Sequence, residues 1–83
     1  MIAMRGDEIR KLLGRHLRAR RLELGLTQAK LAKTLRVKQP YIAALEGGTS
    51  SISLDVLGKF AEVLKTSPSA LLSTEEIFLG KCS

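Results

Sequence analysis

The sequence predicts an all-α fold, a five-helix domain of the kind that carries a helix-turn-helix, on three observations. Leu, Ile and Val recur mostly every three or four residues between Ile9 and Leu79, which is the period of a helix face. No stretch of five or more residues alternates as a half-buried strand would. Residues that start or stop helices (Gly25, Thr27, Pro40, Gly47-Gly48, Ser53 and Ser67-Pro68) divide the chain into short segments.

The first helix is expected from about Asp7 to Leu24. Ile9, Leu12, Leu13, Leu17 and Leu24 form its apolar stripe, His16 sits at the edge, and Arg10, Lys11, Arg15, Arg18 and Arg20 take most of the rest. Its acids lie in the first turn, where the helix dipole favours them, and Gly25 supplies the left-handed stop. Thr27 caps a second helix ending near Leu35, with Leu31 and Leu35 inward and Ala32 allowing close approach. A third starts near Lys38 or Gln39. Pro40 is tolerated there because first-turn amides have no intrahelical acceptor. Gly47-Gly48 end it. Ser53 caps a fourth helix from Leu54 to about Lys65, and Ser67-Pro68 opens a short fifth ending at Leu72. The expected organisation is an N-terminal tail over residues 1–7, one domain over 8–72, and a C-terminal tail over 73–83. Within that tail, Thr74-Glu75-Glu76 can cap one turn carrying Ile77, Phe78 and Leu79.

At 83 residues with 45% hydrophobic content and only three aromatics, the core must be built from Leu, Ile, Val and Ala. A chain this short buries only ~60–65% of its unfolded surface, so its margin of stability is thin. Charge is unevenly placed. Residues 1–38 hold eleven Lys or Arg against three acids, a net of +8, and residues 39–83 hold three against five, a net of −2. A basic half on a compact domain points to a polyanionic partner; the plain alternative is a solvated basic helix.

Several classes are excluded on residue content. His16 is the only histidine and lies among arginines, which suits a phosphate contact or a surface residue better than a catalyst. No carboxylate pair or Gly-rich phosphate loop presents itself, so no catalytic residue, cofactor or metal site is expected. Cys82 has no partner for a disulfide or a metal quartet. No signal peptide and no membrane-spanning run is evident, and the expected compartment is the cytoplasm.

The second and third helices are each about two turns long and closely joined, the helix-turn-helix arrangement whose second helix can enter the DNA major groove. At 100° per residue, Ile42, Leu45 and Glu46 of the third helix turn to the core, while Pro40, Ala43, Ala44 and Gly47 turn away. Such a face cannot form bidentate hydrogen bonds to base edges, but it allows close approach and contact with thymine methyls.

The runs L-G-L-T-Q-x-x-L-A (Leu24 to Ala32), I-x-x-L-E-x-G (Ile42 to Gly48) and S-L-x-x-L-x-x-x-A-x-x-L (Ser53 to Leu64) resemble the phage-repressor/Cro-like (XRE) helix-turn-helix family, over roughly residues 9–72. The resemblance implies five helices, Gln28 opening the second near a backbone phosphate, and the helix from Gln39 reading bases. It also implies a buried structural ion pair between Arg21 and Glu46. Two positions depart from the pattern. Arg36 stands where the family often has Gly, so the turn is either built differently or its strain is offset by a phosphate contact. Lys38 replaces the usual Ser or Thr cap and can reach a phosphate or guanine instead.

Gln39 can pair with adenine, or be a solvated amide. Tyr41 can reach a phosphate or base methyl, or be a packing residue with a wet hydroxyl. Arg36 and Lys38 are phosphate or guanine contacts, or surface charge. Thr27 joins these as a candidate at the start of the second helix. So small a module implies a homodimer reading two half-sites about one turn apart. Candidate dimer residues are Ile52, Val56, Val63, Leu72, Ile77, Phe78 and Leu79, with core burial the alternative, favoured for Leu71.

The resemblance is nearest to the small stand-alone controller proteins of restriction–modification systems, through Tyr41-Ile42 and Ser53-Leu54, and otherwise to phage repressors. Lys30 and Lys33 on the second helix favour repression over activation through an acidic patch on RNA polymerase. An antitoxin that binds a toxin and regulates its own operon is the alternative, and its partner surface would have to be the eleven-residue tail.

Overall fold

A computed structural model describes residues 5–73. The elements are α1 (Gly6–Glu23), α2 (Gln28–Leu35), α3 (Gln39–Glu46), α4 (Leu54–Val63) and α5 (Pro68–Leu71). Five helices appear in the expected order, with no strand among the described residues. α4 stops two residues short of Lys65, and α5 ends at Leu71 rather than Leu72. Ile77, Phe78, Leu79, Cys82 and the expected turn at Thr74-Glu75-Glu76 lie outside the described residues.

Short helices need their unpaired terminal amides satisfied, and hydroxyls do this at three starts. Thr27 Oγ1 accepts from the Lys30 amide at 3.0 Å, Ser53 Oγ from Val56 at 3.2 Å, and Ser67 Oγ from Ala70 at 3.1 Å. α3 starts from Lys38, which makes no side-chain cap, and continues with Pro40 in its first turn.

Four helices stop by one device. The residues at Gly25, Arg36, Gly48 and Lys65 all have φ between 56° and 75°. After each, the following amide reaches back five residues: Leu26 to Arg21 O, Val37 to Ala32 O, Thr49 to Ala44 O and Thr66 to Ala61 O, at 2.9–3.1 Å. Glycine takes this left-handed conformation without strain. A side chain there costs about 1 kcal/mol, so Arg36 and Lys65 are held against their local preference.

The core joins α1 (Leu13, Leu17), α2 (Leu31, Ala32), α3 (Ile42, Leu45), α4 (Leu57, Phe60, Ala61, Leu64) and Leu71 of α5. Three expectations for α1 need correcting. Ile9 is 39% exposed, because the buried stripe begins a turn later at Leu12 and Leu13. His16 is not a free surface group: it is half-buried and its Nδ1 donates to the Leu71 carbonyl at 2.6 Å. Arg20 turns from solvent to the end of α4, donating from Nε to Leu64 O at 2.8 Å and from Nη2 to Lys65 O at 3.1 Å. Both side chains satisfy carbonyls that a helix end leaves without intrahelical partners.

Candidate nucleic-acid interface

α3 is divided lengthwise. Ile42 and Leu45 are buried, while Gln39, Pro40, Ala43 and Gly47 are exposed on the opposite side. Tyr41 and Ala44 form the flanks and are half-buried, Tyr41 against the core. Ala44 therefore sits less far outward than its helical angle alone suggests, and its carbonyl takes both the amide and the hydroxyl of Thr49. The outward surface carries Gln39 and little else that can form a hydrogen bond.

What holds this face outward is a hub at Glu46. Arg21 Nε donates to Glu46 Oε2 at 2.6 Å and Nη2 to Oε1 at 3.0 Å, while Nη1 reaches Leu26 O at 2.7 Å. Gln28 Nε2 donates to the same Oε1 at 3.1 Å. The α1 guanidinium, the first residue of α2 and the last of α3 thus meet at one carboxylate. A bidentate guanidinium–carboxylate pair fixes orientation as well as distance. Among the described residues no buried side-chain N or O lacks a hydrogen-bond partner, so the buried charges are compensated.

Two glycines let the backbones come together around that hub. A Cβ on Gly14 would lie 2.5 Å from Leu45 O and 2.6 Å from Glu46 O, so only glycine lets α1 cross the end of α3 this closely. Gly48 is both left-handed and pressed against Lys11, whose Cα would lie 2.9 Å from a Cβ there.

The remaining predicted contacts lie at the start of α2, at the turn and at the start of α3. Arg36 is exposed and left-handed at the turn between α2 and α3, which answers the alternative left open by the sequence: the turn keeps the left-handed geometry with Arg in place of Gly. Lys38 is exposed at the start of α3. Thr27 spends its hydroxyl on the α2 cap, and Gln28 spends an amide hydrogen on Glu46. Of the apolar candidates for a dimer contact, Ile52, Val56 and Val63 are half-buried against the core, Leu71 is buried, and Leu72 is 38% exposed. Leu54, which the sequence reading passed over, is 83% exposed at the start of α4.

Sequence reasoning also missed Gly14 and Arg20. Gly14 falls inside the heptad-like stripe of a long helix, where a glycine signals a close crossing. Arg20 carries no such signal, since one more arginine in a basic helix looks like surface. Among the described residues there is no His, Cys, Asp and Glu group suited to a metal, and no helix long and apolar enough to cross a membrane.

The helix-turn-helix family HTH_3 matches residues 17–71. Control protein C.BamHI of Bacillus amyloliquefaciens is 35% identical over 77 residues, spanning 92% of this chain and 93% of its own length. The crystal structure of the clp gene regulator ClgR from Corynebacterium glutamicum superposes with a TM-score of 0.74 at 33% identity, covering 77% of this chain and 68% of that one. The hypothetical transcription factor NHTF from Neisseria shares the fold at a TM-score of 0.80 and 23% identity, covering 98% of this chain and 93% of that one.

Proposed function

The chain belongs to the helix-turn-helix family HTH_3, a family of DNA-binding regulators, and from that premise we propose that it acts as a homodimer on a two-fold operator, with α3 lying in the major groove of each half-site. The observation that carries this is the division of α3 into a buried side pinned by Glu46 and an exposed side of Gln39, Pro40, Ala43 and Gly47. That side can approach base edges closely while offering one amide, on Gln39, suited to adenine. Thymine methyls are the natural partners of Pro40 and Ala43, with Tyr41 and Ala44 on the flanks of the same contact.

Arg36 and Lys38 take phosphates or a guanine at the turn, and Thr27 and Gln28 lie at the neighbouring helix start. Because so few groups can read bases, much of the discrimination falls to duplex shape and bending. Affinity then comes mainly from phosphate neutralisation and falls steeply with salt. The dimer contact draws on Leu72, Ile52, Val56 and Val63, with exposed Leu54 as a further apolar position.

The likeness to control protein C.BamHI supports a controller-type regulator, and a restriction–modification operon is the system we assign it to. Repression is the mode favoured by Lys30 and Lys33 on α2, where an acidic surface for RNA polymerase would otherwise stand. Reporter transcription from the chain's own promoter should fall as protein is added. Transcription that rises at low occupancy would make it an activator.

A further inference from the structure

We propose that the outer face of α1 is a second phosphate-binding surface, in which Lys11, Arg15 and Arg18 form a cationic ridge that grips the sugar–phosphate backbone beside the groove entered by α3. The inference rests on the reading of α3 above and extends its footprint to a helix outside the helix-turn-helix.

The three residues are spaced i, i+4 and i+7, which puts them on one side of the helix across about 10 Å of its axis. All three are exposed. The acids of α1 lie at its ends, Asp7 and Glu8 in the first turn and Glu23 at the last residue, leaving the middle uniformly positive. Among the described residues the ion pairs engage Arg5, Arg20 and Arg21, and no described acid lies within 4.0 Å of Lys11, Arg15 or Arg18. Like charges one turn apart repel, so a solvated helix face gains by mixing signs. This one does not, and a polyanion relieves the repulsion that folding leaves in place.

Position joins the ridge to α3. Gly14, between Lys11 and Arg18 in sequence, seats directly on the Leu45 and Glu46 carbonyls, and Lys11 packs on Gly48. Arg18 lies one turn before Arg21, whose guanidinium binds Glu46. The ridge therefore borders the last turn of α3, next to exposed Gly47, on the rim where a strand backbone rises beside a helix seated in the groove. An acidic protein surface would satisfy the same charges. Continuity with α3 favours DNA.

The test uses the full chain and its Arg15→Ala/Arg18→Ala variant, titrated against a random-sequence duplex of about 40 base pairs across a salt series. Each phosphate contact contributes about 0.9 to the slope of log affinity against log salt, and two arginines in each copy of the dimer make four contacts, so the variant should lose about 3.6 units of slope. Between about 50 and 200 mM salt its affinity should then fall roughly a hundredfold less than that of the wild type. Its melting temperature should hold or rise, because two repelling charges are gone, and Arg15→Lys/Arg18→Lys should restore the slope. An unchanged slope overturns the proposal, as does a lysine variant that behaves like the alanine one. Wild-type protein that binds no duplex would instead remove the reading of α3 on which the ridge depends.

Discussion

Arg21 and Glu46 form a two-point ion pair with side chains only 8% and 4% exposed, so the position of α3 relative to α1 is set by a buried charge contact. Such a pair costs desolvation to assemble, and its removal from one side leaves the other charge stranded. Glu46→Ala should destabilise the protein by about 3–5 kcal/mol, read from chemical or thermal unfolding. The DNA affinity of the molecules that remain folded should change less. A variant that melts normally yet binds poorly would make Glu46 a direct contact instead.

Gly14 and Gly58 give an opposed pair of predictions. An added methyl on Gly14 meets two backbone carbonyl oxygens at 2.5 and 2.6 Å, and neither can step aside without moving α3. Gly14→Ala should therefore cost about 1–3 kcal/mol despite alanine's better helix propensity. Gly58 lies inside α4 with nothing within 4 Å of its added carbon. Gly58→Ala should stabilise by about 0.5–1 kcal/mol. Urea unfolding of both variants checks the signs together, and a neutral Gly14→Ala would show that α1 and α3 do not cross this closely.

Arg36 separates stability from binding. Its φ of 59° favours glycine, so Arg36→Gly should stabilise the turn by up to about 1 kcal/mol. If the arginine is there for a phosphate, the same change, present in both copies of the dimer, should lower the salt slope of DNA binding by about two units. Stabilisation with an unaltered slope would leave the strain without a function in binding.

Gln39 should act on specificity alone. Gln39→Ala is expected to weaken binding to the preferred site by about 1–3 kcal/mol while sparing random duplex. Equal losses on both would move Gln39 from base edges to the backbone.

The sequence made the helices, their order and the division of α3 legible because caps, stops and apolar spacing are local signals. Thr27, Ser53 and Ser67 each cap the helix expected of them. Contacts between distant segments were hidden unless the family resemblance supplied them, as it did for Arg21 and Glu46. Arg20 looks identical to its basic neighbours in sequence, yet it closes the end of α4, 44 residues away. His16 likewise meets Leu71 across 55 residues. Side chains that serve helix ends far along the chain follow from how helices cross, and in the sequence such a crossing is marked by a glycine such as Gly14.

Selection of bound sequences from a random duplex pool tests most directly whether two copies of α3 read one operator. The expected outcome is an inverted repeat whose half-sites are centred about 10 base pairs, or one helical turn, apart. A single unrepeated motif, or a pool that never departs from random, would contradict it.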